Sequence, residues 1–204
     1  MQKYVIIGTG GHAKSIQDLI TNDGGEVKYF IGFDEGLNNV KNIPVLSVNE
    51  MQELPVDFDL VLGIGNFEIR NKVIEDIGLV FPDSRFPALV HSTSYVSKSA
   101  KLGFGTVVFA NAYVGPNSKV GKFSVINTAA SIDHDCLVGN QNFVAPGVIF
   151  AGGVKTGHNC FIGMGSLISS QISVGQNSVV AANSFVNENV PDNSFAAGTP
   201  AKLK

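Results

Sequence analysis

A six-residue period runs without a break from Val96 to about Pro191, and no other feature of the chain restricts its fold as strongly. Counted from Val96, every sixth residue (Leu102, Val108, Val114, Val120, Ile126, Ile132 and on to Val186) is Val, Ile or Leu at fourteen of sixteen positions, the exceptions being Phe150 and Thr156. Four residues after each comes a second set, from Ala100, Thr106 and Ala112 to Ser178, Ser184 and Val190, dominated by small and β-branched side chains. Gly, Asn, Asp and Ser, which accept tight turns, are favoured between them. This is the hexapeptide signature of a parallel β-helix, in which three repeats, about 18 residues in all, make one triangular coil. Stacked strands rise about 4.8 Å per coil. A β-sandwich would instead show period-two runs broken by turns every 8–12 residues, and would not hold one phase throughout.

The first ninety residues lack that period and alternate strand and helix. Tyr4–Ile7 reads as a buried strand, Gly8-Thr9-Gly10-Gly11 as a turn, and Ala13 to about Thr21 as a helix with Ile16, Leu19 and Ile20 on one face. A second strand spans Lys28–Phe33 and ends at Asp34; a third, Asp59–Ile64, runs into Gly65-Asn66 and a helix over Phe67–Ile77. Strand, helix and strand with short loops predict a small parallel, Rossmann-like sheet of three or four strands. The expected division is therefore an α/β domain over 1–90 and an all-β parallel β-helix over 91–204, with a linker at Phe86–Ser94.

A net charge of −3 without a long basic run argues against nucleic acid or an anionic membrane as partner. No apolar stretch is long enough to span a bilayer, and the opening MQKYVIIG reads as a strand entering a Gly-rich loop instead of a signal peptide. Cys136 and Cys160 both take the small interior position of the repeat, so buried thiols are expected, not a disulfide. The chain is expected to be cytoplasmic.

Gly8-Thr9-Gly10-Gly11-His12 lies between a strand and a helix, where glycines admit a phosphate to the backbone and the helix N-terminus offers N–H groups. Asp34 and Asn66 fall on the same carboxyl rim of the sheet, the usual ligand edge. The loop departs from G-x-G-x-x-G at Ala13, and a tight turn without a ligand also fits. So small a sheet suits one nucleotide better than a dinucleotide. His12 is placed either to touch a phosphate or sugar or to cap the loop.

Of four histidines, His91 falls in the linker and His158 reads as an exposed turn residue. His134 differs, because Asp133 and Asp135 flank it. An imidazole beside a carboxylate is suited to general-base work, since the acid fixes its tautomer and stabilises the imidazolium. A solvated polar corner fits the same triplet. His134 and His158 fall on different faces and no third His is in register, so no metal site is expected.

The chain resembles the bacterial left-handed β-helix sugar acyltransferases. The resemblance rests on Val5-Ile6-Ile7-Gly8-Thr9-Gly10-Gly11-His12-Ala13-Lys14, on Gly63-Ile64-Gly65-Asn66-Phe67-Glu68-Ile69-Arg70, on Ile126 to Cys136, and on the closing Ala197-Gly198-Thr199-Pro200-Ala201-Lys202. It implies transfer from acetyl-CoA to the 4-amino group of a nucleotide-linked 4-amino-4,6-dideoxy sugar, in a homotrimer with active sites between subunits. Gly10, Gly11, His12, Asp34 and Asn66 would hold the nucleotide sugar in the first domain. His134 would be the base and Asp135 its orienting partner, with Asn127 close to the reacting amine. Gly152, Met164, Ala182 and Pro200 would line the cofactor. Many relatives carry a second His where this chain has Phe143, which cannot donate a hydrogen bond. O-acetylation of a sialic acid or other sugar, or a non-catalytic β-helix scaffold, are the alternative readings.

Overall fold

Val5, Ile6 and Ile7 are buried on both sides because strand β1 (Lys3–Ile7) lies inside the sheet of the first unit, between β2 (Glu26–Gly32) and β5 (Asp59–Leu62). A hairpin of β3 (Asn39–Val40) and β4 (Ile43–Ser47) extends the sheet beyond β2, so the order is β3-β4-β2-β1-β5, parallel except for β3. The sheet is thus one hairpin wider than its sequence indicates. Helix α1 (Gly11–Asn22) buries Ala13, Ile16, Leu19 and Ile20, and starts early enough to take Gly11 and His12 from the expected turn into its first turn. Helix α2 (Phe67–Gly78) buries Val73, Ile74 and Ile77, together with Arg70. The computed structural model describes residues 1–33, 37–55 and 57–204, and Asp34 lies outside them.

The chain divides into two compact units, Met1–Pro87 and Ala88–Lys204. The second is a left-handed β-helix of two-residue strands on three faces. The first face carries Leu89–Val90, Val107–Val108, Val125–Ile126, Phe143–Val144, Phe161–Ile162 and Val179–Val180. The second runs from Tyr95–Val96 to Phe185–Val186, and the third from Lys101–Leu102 to Ser173–Val174. Each strand pairs with its counterpart one coil away, as Val114 does with Ile132. The second residue of each strand points inward, and all of these are buried from Val108 to Val186.

Two ends of the β-helix differ from the periodic reading. Leu89–Val90, expected as linker, already pairs with Val107–Val108; its strand is one repeat earlier than Val96. The last coil is shortened, since Val179 pairs with Phe195 where an unbroken period would bring up Ala197. An antiparallel hairpin of Phe195–Gly198 and Ala201–Leu203 then closes the chain.

The small interior residues carry hydrogen bonds as well as making room. Ser118 Oγ donates to the Asp133 carbonyl (2.6 Å), Ser124 Oγ to Gly139 (3.0 Å), and Ser166 Oγ to Ala181 (2.9 Å). Each satisfies a corner carbonyl that the strands leave over, which an apolar residue would strand at a cost of about 1–3 kcal/mol. Cys136 and Cys160 stand in this series as free, buried thiols, Cys160 Sγ donating to Gly175 (3.1 Å). Burial pushes the Cys160 thiol up to about 11, which leaves it inert near neutral pH.

Candidate functional site

Asp133-His134-Asp135-Cys136 makes the corner between the second and third faces. Asp135 sits in the left-handed region at φ 58°, which returns its side chain alongside the preceding imidazole. Its Oδ2 lies 2.8 Å from His134 Nδ1. The Asp133 Oδ1 instead accepts the His134 backbone N–H at 2.7 Å, so the two acids are not interchangeable. The hydrogen bond to Asp135, then the charge of Asp133, raise His134 above the ordinary imidazole value of 6.5. His134 in turn lowers the Asp135 carboxyl, with help from Asn117.

With Nδ1 held by Asp135, Nε2 is the nitrogen available for chemistry. It lies over Gly152, one coil further on, where an added Cβ would be 2.6 Å from Nε2 and 2.5 Å from Cε1. The coil-to-coil hydrogen bonds at this corner run from Gly153 N–H to the His134 carbonyl (2.9 Å) and from Gln171 N–H to the Gly152 carbonyl (3.0 Å). They do not use the Gly152 N–H. His134, Asp135 and Gly152 therefore form one cluster.

The remaining candidates of this unit lie along the opposite edge of the second face. Asn127, Met164 and Ala182 stand on the corners that lead from the first face to the second. Thr199 donates to the Asn183 carbonyl (3.1 Å), which puts the Thr199–Pro200 turn on top of that column. Within one chain, then, a whole face separates Asn127 from His134. Phe143 is buried on the first face and stacks on Phe161 with ring centroids 5.6 Å apart, so the position is an apolar contact. His158 is exposed, its Nδ1 accepting the Asn140 N–H at 3.0 Å. Among the described residues no group of three His, Cys, Asp or Glu is placed to hold a metal, and no helix is long and apolar enough to cross a membrane.

In the first unit Gly10 is the N-cap of α1, with no side-chain cap and no acid in the first turn. Asn66 caps α2, its side-chain oxygen accepting the Ile69 N–H at 3.0 Å. His12 lies beside Gly65, whose added Cβ would sit 3.1 Å from His12 Cβ. Sequence reading passed over Arg70, which is fully buried beneath this rim and donates to the carbonyls of Leu62 (3.3 Å) and Ile64 (3.5 Å). Its signal was legible as a charge on the apolar stripe shared with Val73, Ile74 and Ile77. Burial lowers Arg70 to about 9, still cationic at neutral pH; burial and that charge lower His12 to about 4, so its imidazole is neutral there. Uncapped helix N–H groups above a buried cation favour an anion at this rim.

Residues 3–77 match the PglD N-terminal domain, and residues 153–188 the hexapeptide repeat of succinyl-transferase. UDP-N-acetylbacillosamine N-acetyltransferase of Bacillus subtilis (strain 168) is 33% identical over 114 residues, a match spanning 53% of this chain and 51% of that protein. The chain thus covers about half the length of that curated relative. The acetyltransferase domain of PglB from Neisseria gonorrhoeae FA1090 superposes with a TM-score of 0.89 and 31% identity over all of both chains, and a second structure of it holds acetyl coenzyme A. PerB from Caulobacter crescentus, solved with CoA and GDP-perosamine, gives a TM-score of 0.90 and 30% identity over all of this chain and 97% of its own. A sheet domain like that of PglD, an unbroken hexapeptide β-helix and full-length likeness to these enzymes agree, and the chain belongs to the left-handed β-helix sugar acyltransferases.

Proposed function

We propose that this protein transfers the acetyl group of acetyl-CoA to the 4-amino group of a nucleotide-linked 4-amino-4,6-dideoxy sugar. The observation that carries the reading is the His134–Asp135 pair, with Nε2 free over Gly152. The amine nitrogen attacks the thioester carbonyl carbon while Nε2 takes its proton. The C–S bond then breaks, and the proton passes from His134 to the CoA sulfur. The Gly152 N–H stands beside the imidazole as donor to the tetrahedral oxyanion, a contact typically worth about 3–4 kcal/mol. In the first unit Gly10, Gly11, His12 and Asn66 form the seat of the nucleotide sugar, its phosphates drawn by the α1 N-terminus and Arg70. Relatives that bind acetyl-CoA and GDP-perosamine support both substrates.

A base on an open corner needs a second wall. The His134 and Asp135 side chains are 56% and 58% exposed, and water there would compete with the amine. A homotrimer supplies the wall. Outward positions of the second face are Tyr95, Tyr113, Ser131, Ile149, Leu167 and Phe185, and Tyr95, Ile149 and Leu167 are at least 45% exposed. The third face is more polar, with Lys101, Lys119, Leu137, Lys155 and Ser173 at the same positions. Burying the apolar face around a threefold axis brings the His134 corner of one copy against the Asn127, Met164 and Ala182 corner of the next. The cleft so formed takes the amine at Asn127 and His134, and acetyl-CoA along Gly152, Met164, Ala182 and Pro200.

Acetyl-CoA-dependent thiol release tests the reading, measured against UDP-, dTDP- and GDP-linked 4-amino sugars and free sialic acid. Release with an amino sugar is expected. Release with sialic acid alone would make the protein an O-acetyltransferase. A scaffold would release no thiol and would not be stabilised by acetyl-CoA, whereas an enzyme at 100 times Kd gains about 2.7 kcal/mol.

The pH profile follows from the pair. Only neutral His134 accepts a proton, and its pKa lies above 6.5, so kcat/KM is expected to fall as pH drops through a value higher than that of a free imidazole. Asp135→Asn removes the stabilising carboxylate and should move this acidic limb to lower pH. A limb set by the substrate amine alone would not move.

A further inference from the structure

The structure assigns Asn117 as a positioning residue of the base, acting through Asp135 from the coil below. Asn117 precedes Asp135 by one coil, and its Nδ2 donates to Asp135 Oδ1 at 3.1 Å while Oδ2 faces His134 Nδ1 at 2.8 Å. The two carboxylate oxygens are thereby divided between two fixed partners, and rotation about the Asp135 side chain breaks both contacts at once. Asn117 is itself anchored, since its backbone N–H donates to Ser99 Oγ at 3.0 Å, a further coil down. The Asp135 N–H donates to the Pro116 carbonyl at 2.9 Å, tying the same two corners together through the main chain.

The fold builds this geometry elsewhere for structure alone. Asn159 Nδ2 donates to Asn177 Oδ1 (3.0 Å), and Asn177 Nδ2 to Asn193 Oδ1 (3.1 Å), along another corner. At both places the donor sits in the left-handed region and sends its amide to the coil above. What differs at Asn117 is the acceptor. An acid replaces the next amide of the ladder, and its second oxygen holds an imidazole. A device that elsewhere pins one coil to the next here fixes which oxygen meets His134 and keeps the carboxylate ionised.

The inference rests on His134 as base, and its test separates the two. Asn117→Gly deletes the amide yet keeps a residue at ease at φ 61°. Loss of one hydrogen bond to a charged group is expected to lower kcat about tenfold, with the KM of both substrates and the melting temperature close to those of the parent. In an Asp135→Ala background the same substitution should cost nothing more, because the residue through which it acts is gone. Equal losses in both backgrounds, a raised KM with unchanged kcat, or parent-like turnover in Asn117→Gly would overturn the assignment. Parent-like turnover in Asp135→Ala alone would remove the dyad itself, and Asn117 with it.

Discussion

His134→Ala is expected to lower kcat by about 10²- to 10⁴-fold, the usual range for a single general base, while the KM values of acetyl-CoA and sugar stay near those of the parent. The loss is confined to chemistry because the imidazole is on an exposed corner, where its removal uncovers only the backbone of Gly152. Its carbonyl and N–H, which hold Gly153 and Asp133, remain in the alanine variant. Asp133 cannot take over. Its Oδ1 already accepts the backbone N–H of residue 134, which holds the carboxylate against the main chain. Steady-state turnover with both substrates saturating decides the matter, with thermal melting as the control for folding. Turnover close to the parent rate would show that another group accepts the proton, and the corner would be only polar surface.

Most of the β-helix was legible because its chemistry repeats. An inward aliphatic residue every six positions, with a small partner four further on, leaves no other way to bury the chain. Legibility stopped where the repeat stops being self-similar. Leu89-Val90 carries the right residues one period before Val96, but lies next to Pro87 and His91 and so reads as linker; only its pairing with Val107–Val108 makes it a strand. The shortened last coil is invisible to a count that assumes every coil to be equal. In the first unit Asn39-Val40 and Ile43–Ser47 are too short and too mixed for periodicity, and their hairpin exists because β2 leaves an edge to cover. At the site, His134 and Asp135 are adjacent in the chain and easily seen. Asn117 and Gly152 are far from their partners in the chain, yet both follow from stepping one coil down or up. Arg70 was visible as a charge on an apolar helical stripe, but a charge inside a core contradicts burial rules unless its donors meet carbonyls, and spacing alone does not reveal that the carbonyls of Leu62 and Ile64 accept from it.

Gly152→Ala should lower kcat by about 10²-fold, the order of loss that a 1 Å misplacement of a reacting group brings, and should hardly change stability. The added methyl would stand 2.5 Å from His134 Cε1 and 2.6 Å from Nε2, closer than van der Waals contact allows. Backbone strain is not the cause, since the left-handed residue of this corner is the next one, Gly153 at φ 73°. Nor is a lost donor, because alanine keeps the N–H proposed to meet the oxyanion. What must give is the imidazole, the free end of an exposed side chain, which turns away at little cost to the fold and loses its bond to Asp135. Relief therefore separates this from a general defect. In a His134→Ala background the clash is gone, and Gly152→Ala is expected to cost no further turnover, whereas independent effects would multiply. A loss of the same size in both backgrounds would mean that the methyl group acts without His134, by obstructing the proposed cleft itself.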